Sequence, residues 1–563
     1  MSASPAFRLP NRVARRIGSL VCALALPFFA ACAFEDGAAP GVEGIGEAAL
    51  RTDIFALAHD SMAGRLVGSP DLTRASEWIR NRFNELGLEP AGDNGTYDQH
   101  FDLTWFSLGS GSRLTVIGAR GARAPGNGWT PSSAGAAGSA SGPVAFAGFG
   151  IVEPRLGYDD YRDGDVSGRI VLVLDREPGV DDPASPFDGV VTTEAARTWR
   201  KALAAQERGA VGILFVRDVH NRPDIDDWSA YHTSQWPDEP RRIERFSLGA
   251  WMEGVRIPAA DVSAALAERL VAGSGRSLAE LAEASEAAEQ GLGVVSLPDA
   301  RVELTTAVER NVTPGRNVLA MIEGADPQLR NEVVVIGAHH DHNGVDRDTV
   351  FNGADDDASG TVGVMAIAEA YALAAEDGDR PRRSVMFAVW DAEERGLLGA
   401  WYYTLRPLFP LQRTVANLNM DMIGRHEEIP PDGGGRFTGL EVQSAESNAN
   451  AINILGYSRA PDLAAAVDSA NEATGLTLRF RYDNNRSNML RRSDQWPFLQ
   501  NDVPAVWFHT GLHPDYHTPN DDPEHIEYEK LTRIVRLVYQ TSWDVANAEG
   551  RPGIQPMGSR PPS

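Results

Sequence analysis

Cysteine is almost absent: two occur in 563 residues, Cys22 and Cys32. That count excludes a disulfide framework and a thiolate-based zinc cluster. Both sit near the start, so the remaining chain has no thiol nucleophile. Basic residues are scarce too, 52 Lys plus Arg against 78 Asp plus Glu, a formal charge of −26. A field of that sign excludes a general nucleic-acid binder, which needs a basic face, and adhesion to anionic lipid by charge alone. Internal repeats and a phosphate-binding glycine loop are lacking as well. What is present is length. One core usually stops growing at about 250–300 residues, so more than one domain is expected.

Residues 1–31 read as an export signal. Arg8, Arg12, Arg15 and Arg16 precede an apolar run from Ile17 to Ala31, interrupted by Gly18, Ser19 and Pro27. The run is about 15 residues, too short to span a bilayer comfortably, and it ends in small residues. Phe29-Ala30-Ala31-Cys32 resembles a bacterial lipoprotein cleavage box, although Phe29 replaces the usual Leu. The expectation is a chain exported to the cell envelope and anchored by lipid at Cys32, or else secreted. Loss of the leader's four arginines moves the balance from −26 to −30.

A tether is expected over 32–46, then a first part of the main domain over 47–131. Within it, Arg74 to Leu86 carries apolar residues at helical spacing and stops at Gly87. The Gly/Ser/Ala-rich stretch 132–142 reads as a linker into a separate block ending at 298. There, Ile170–Leu174 and Val211–Val216 are buried-type strands flanking a helical stretch from Ala195 to Arg208. The segments Gly157-Tyr-Asp-Asp-Tyr161, Val166-Ser-Gly-Arg-Ile170-Val-Leu-Val and Ala204-Ala-Gln-Glu-Arg-Gly209-Ala-Val-Gly-Ile213 resemble a protease-associated domain, and the block shows no catalytic constellation of its own. Residues 299–550 alternate strand and helix and complete the main domain, and 551–563 read as a flexible tail. Strands are expected at 332–338, 384–390, 415–420 and 503–508, with helices at 361–375 and 528–547. The fold class is therefore α/β: a mixed, mainly parallel sheet flanked by helices, with an inserted smaller β-rich domain.

Four of those strands run into metal-type ligands: His339-His340-Asp341-His342, Asp391-Ala-Glu393-Glu394, Asn419-Met-Asp421, and His509 followed by Tyr516-His517. Between the first two lies Asp355-Asp356-Asp357. Ligands gather beyond the carboxyl ends of strands in open α/β sheets, so separations of 17, 38, 27 and 96 residues along His339, Asp356, Glu394, Asp421 and His517 are compatible with one pocket. Imidazole and carboxylate without thiolate suit catalytic zinc. So many carboxylates in one pocket would repel each other unless cations balanced them, and two divalent ions bridged by a carboxylate would do so.

The series Gly337-Ala-His339-His-Asp341, Gly353-Ala-Asp-Asp356-Asp-Ala-Ser-Gly360, Glu393-Glu394-Arg-Gly396-Leu-Leu-Gly399, Asp421-Met-Ile-Gly424 and Tyr516-His517-Thr-Pro resembles the bacterial zinc aminopeptidase and glutamate carboxypeptidase family. The resemblance covers roughly 47–130 and 300–550. It implies that two Zn2+ are held, one by His339 and Asp421, the other by Glu394 and His517, with Asp356 bridging. It further implies that Asp341 accepts a hydrogen bond from the His339 imidazole and fixes its tautomer, that Glu393 is the general base, and that Tyr516 donates to the oxyanion. Asp357 stands where many members have Asn, and Gln495 where His is frequent. His340, His342, His509 and His513 are read as pocket wall or supporting residues, Asp357 or Ser359 as a helix cap, and the early Asp60 to Ser69 motif as structural.

The activity so implied is removal of N-terminal residues from peptide substrates. A carboxypeptidase acting on acidic dipeptides uses the same metal set, and a receptor-like binding protein with a dead site shares the architecture. A glutaminyl cyclase fits less well, since its single-metal site does not call for five ligands.

Overall fold

The computed structural model describes residues 38–118 and 121–556. The expected leader with Cys22 and Cys32, and the last seven residues of the tail, lie outside the described residues.

A ten-stranded mixed sheet carries the strand-end motifs. At its centre, Ser384–Trp390, Val333–His339, Thr414–Met420 and Ala505–His509 lie parallel in that order. All four are buried along their full length, which is why they read as continuous apolar runs instead of alternating ones. Antiparallel strands complete the sides: Val308–Ile322 and Asp98–Leu108 beyond Ser384–Trp390, and Ala451–Leu455 beyond Ala505–His509. The helix Gly360–Glu376 packs against this sheet and is buried along most of its length. By composition Ala354–Glu376 could cross a membrane, but 72% of its apolar window is enclosed by protein, so it is a core helix here.

The closing helix Tyr528–Asn547 is buried over most of its surface, and the N-terminal segment docks on it. Ala39 N donates to Gln540 Oε1 at 2.8 Å, Arg536 to Ile45 O at 2.8 Å, and Tyr539 to Pro40 O. Val42 and Ile45 are buried, so residues 39–46 of the expected tether are docked. The tail is docked as well through residue 555: Arg551 pairs with Glu332 at 2.6 Å, and Gly553 N and Gln555 N donate to Asp462 and to Arg459 O.

A second, eight-stranded sheet is built around the parallel strands Gly138–Phe146, Ile170–Leu174, Gly212–Val216 and Ala259–Val262. It recruits strands on both sides of 132–298. Arg113–Gly118, Gly121–Arg123 and Trp129–Pro131 join from before it, and Val295–Thr306 runs past its end. Sheet pairing therefore divides the chain near 109–112 and at Ala307, with Ser247–Leu248 returning to pair with Asp98–Leu108 in the first sheet. Much of the expected linker is strand Gly138–Phe146. Its small residues have a packing reason, since a Cβ on Gly142 would stand 2.5 Å from Gly168 O.

This second unit is fastened against the first. Val191, Leu248 and Trp251 bury into the first unit's apolar core. Trp251 stacks on Trp199 at 5.2 Å and meets Trp401 edge-on at 5.9 Å, contacts worth about 0.5–1.5 kcal/mol each beyond burial. Arg491 donates to Thr192 O at 2.6 Å and to Glu194 at 3.1 Å.

Candidate metal centre

The parallel strands deliver their carboxyl ends to one place. His339 is the last residue of its strand, Asp421 follows Met420, and Glu393 and Glu394 sit in a turn after Trp390 that Ala392 enters with φ of 59°. Asp356 lies in a wide helical turn, Ala354–Ser359, preceded by Gly353 with φ of 56°. A Cβ on Gly353 would stand 2.2 Å from Asp356 O, so this close turn needs glycine.

Two groups of donors result. In the first, His339 Nε2 lies 3.2 Å from Asp356 Oδ1, 3.7 Å from Glu393 Oε2 and 3.8 Å from Asp421 Oδ1. In the second, His517 Nε2 lies 3.0 Å from Asp356 Oδ2 and 3.1 Å from Glu394 Oε2. His342 Nδ1 joins the second group, 2.7 Å from Glu394 Oε1 and 3.9 Å from Asp356 Oδ2. Donors bonded to one tetrahedral zinc at ~2.0–2.1 Å stand about 3.4 Å from one another, the spacing seen in both groups. Asp356 turns one oxygen to each group.

Satisfaction of polar atoms points the same way. His339 Nε2, His342 Nδ1 and Asp356 Oδ2 are buried without a well-aligned hydrogen bond, and their nearest polar neighbours are the other donors of the cluster. Burying such groups unpaired is costly, and convergent orphaned donors fit a divalent cation. Without a cation the carboxylates perturb one another. Glu393 is pushed well up by burial, reinforced by Asp421, Asp494 and Glu394 and opposed by His339. Burial also raises Glu394 and Asp356, but the histidines beside them win and both end below the usual carboxylate range.

Outer contacts hold the donors. His339 Nδ1 lies 3.2 Å from the Asp341 carbonyl oxygen and 3.6 Å from its carboxylate. The Asp341 carboxylate instead accepts from Glu393 N at 2.9 Å and Glu394 N at 3.3 Å. Asp341 thus fixes the turn that carries both glutamates, and its carbonyl oxygen stands closer to the imidazole than its carboxylate does. Asp357 is more than a helix cap: it accepts from His339 N, Gly360 N and Met422 N, tying two strand ends to the core helix.

Of the four remaining histidines, His342 belongs inside the cluster. His340 is bonded to Trp390 O and Ser76, His509 to Asp421 O, and His513 faces Asp355 at 3.2 Å, all as supports. Gln495 donates to Leu490 O.

Further supports are Ser493 and Asp521, which carried no sequence signal, and Arg65 of the Asp60 to Ser69 motif. Ser493 donates to Asp421 Oδ2 and accepts from Asn419. Asp521 accepts from the backbone of Asp355 and Asp356. Arg65, fully buried, donates to the carbonyls of Leu57, His340, Asn352 and Gly353.

A cleft of about 270 Å³ opens over the cluster. Asp356, Glu393, Glu394, Asp421 and His517 line it together with Tyr516, whose ring stacks on His517 at 3.8 Å. Burial and the surrounding carboxylates push the Tyr516 hydroxyl well up, so it keeps its proton and can donate. The facing wall carries Arg197, Arg491 and Arg492. Buried Glu194 pairs with the first two, while Arg492 has no ion pair among the described residues. A larger cavity of about 590 Å³ lies at the seam of the two units and touches none of the cluster residues.

A strand-end cluster of imidazoles and carboxylates around a bridging aspartate, beneath a substrate-sized cleft, defines a metallohydrolase-type centre. Comparison points to its relatives: residues 317–542 match the model of Peptidase family M28. The probable glutamate carboxypeptidase AMP1 of Arabidopsis thaliana is 30% identical over 274 residues, 47% of this chain and 35% of that protein. An aminopeptidase of Pseudomonas aeruginosa is 33% identical over 159 residues, 27% of each chain. The chain thus spans about a third or less of these relatives. Among solved structures, an aminopeptidase from Aneurinibacillus sp. strain AM-1 aligns over 92% of this chain and 97% of its own, with 18% identity and a TM-score of 0.46.

Proposed function

We propose that the protein is a zinc-dependent exopeptidase that removes N-terminal residues from peptides. The observation that carries this is Asp356 offering one carboxylate oxygen to each of two donor groups. In this reading His339 and Asp421 hold an inner ion, Glu394 and His517 an outer one with His342 beside it, and Asp356 joins them. Bound divalent ions polarise a carbonyl and acidify water towards a pKa of about 7. The residues do the rest. Glu393, at the cluster's edge and in the cleft, takes the proton of the attacking water and passes it to the leaving amine. Tyr516 donates its hydroxyl proton as a hydrogen bond to the developing oxyanion.

A second reading, a carboxypeptidase on acidic dipeptides, is favoured by one feature, the arginine wall of Arg197, Arg491 and Arg492. Unpaired Arg492 is suited to a substrate carboxylate. The leader read in residues 1–31 supports export, with a lipid anchor at Cys32 or secretion.

The test is a defined peptide pool with free and blocked termini, incubated with and without chelator and read by mass spectrometry. Chelator-sensitive loss from free N-termini is expected. Loss from C-termini would move the reading to the carboxypeptidase, and no trimming with zinc supplied would leave a binding protein.

A further inference from the structure

Glu394 is held from a direction that the ligand set does not explain. Its Oε1 accepts from Asn343 Nδ2 at 3.0 Å. The other end of that amide, Oδ1, accepts from Arg395 Nη2 at 2.7 Å. The amide's orientation follows from chemistry: a guanidinium only donates and a carboxylate only accepts, so oxygen faces Arg395 and nitrogen faces Glu394. The Asn343 backbone is gripped as well. Arg242, from the second unit, donates to Asn343 O at 2.7 Å, and its guanidinium lies 5.6 Å over the Phe351 ring. A continuous chain of contacts therefore runs from the second unit through Arg242 and Asn343 to Glu394.

We propose that Asn343 is a positioning residue for the outer ion subsite, and that Arg242 of the second unit steadies it. The proposal rests on reading Asp356, Glu394 and His517 as an ion seat. Asn343 braces the carboxylate through Oε1, which also meets His342 Nδ1 at 2.7 Å, while Oε2 faces His517 Nε2 at 3.1 Å and Arg395 Nη2 at 3.5 Å. A carboxylate free to rotate would lose that preorganisation, and loss of such an outer partner weakens metal binding typically 10–100-fold. The inner subsite of His339 and Asp421 has no contact with Asn343 and keeps its affinity. The second unit then contributes to the outer seat through Arg242, besides lining the cleft with Arg197.

The experiment is a zinc titration of the chelator-stripped full chain against a competing chelator, in wild type, Asn343→Ala and Arg242→Ala. A His517→Ala chain, lacking an outer ligand, identifies the affinity that belongs to the inner subsite. The expected result is an outer dissociation constant raised about 10–100-fold in Asn343→Ala with the inner one unchanged. Arg242→Ala, at an exposed position that should not disturb folding, shifts the outer constant in the same direction by less. Unchanged outer affinity in Asn343→Ala, or equal weakening of both subsites, overturns the proposal. A wild-type chain that binds fewer than two ions overturns the ion-seat reading and this proposal with it.

Discussion

Replacing Asp341 by Asn separates two accounts of that residue. If its carboxylate served the His339 imidazole, the change would act on the inner ion. The observed contacts place the carboxylate under Glu393 N and Glu394 N, while the residue's own carbonyl holds His339 Nδ1. Asn keeps the carbonyl and one of the two acceptor oxygens, and turns its NH2 against the other backbone N–H. One hydrogen bond to a charged acceptor, about 1.5–3 kcal/mol, is exchanged for a donor facing a donor in a buried turn. If ~2–3 kcal/mol of that appears as misplacement of Glu393 and Glu394, turnover falls about 30- to 150-fold. The assay is kcat and KM on a chromogenic substrate at saturating zinc, with zinc affinity measured in parallel. A kcat within about twofold of wild type, or weakened inner-ion binding alone, would refute the reasoning.

Three further expectations follow from the same contacts. Glu393→Gln should retain both ions by elemental analysis yet lose about 10²–10⁴ of kcat, since its carboxylate is the proposed proton carrier. Arg65→Met removes a buried guanidinium from four backbone carbonyls and should cost about 3–5 kcal/mol in urea unfolding, with a loss under 1 kcal/mol contradicting the structural role. Burial pushes the Glu177 carboxyl, which accepts from Thr193 N at 2.7 Å, up to about 8. A raised carboxyl stabilises the fold at low pH, and that contribution is lost as pH climbs from the unfolded value near 4.5 through about 8. Glu177→Gln should therefore match wild type near pH 5 and exceed it at pH 8 by a few kcal/mol, on the order of 4. Parallel pH profiles for the two chains would show that the shift is absent.

The main domain was legible because its centre is made of strands buried on both faces. Val333 to Ala338 and Val385 to Val389 are unbroken apolar runs that end at titratable residues, the pattern of a covered parallel strand whose carboxyl end opens on a site. The closeness of His342 to Glu394 was not legible because spacing cannot say whether the chain turns back after Asp341. Here it does: Leu66 pairs with His342, and the ring returns to Glu394. Sequence proximity showed Asp341 beside His339 but not its contacts to Glu393 N and Glu394 N, which come from a turn more than fifty residues away. Ser493 and Asp521 act through buried hydrogen bonds between distant segments, so nothing local marks them, whereas Arg65 lies in the Asp60 to Ser69 motif already read as structural. The sheet boundary was missed for a related reason. Strands such as Trp129–Pro131 are three residues long, and their partners lie more than a hundred residues away.

The central claim is that Asp356 joins two ion subsites that together make the centre active. Its most direct test is to strip the purified chain with chelator, add zinc in measured equivalents, and follow bound zinc and peptide hydrolysis together. Two zinc ions per chain, with activity returning as they bind and both lost in Asp356→Ala, is the predicted result. Full activity in the stripped chain, or a single zinc ion that restores all activity and survives Asp356→Ala, would contradict it.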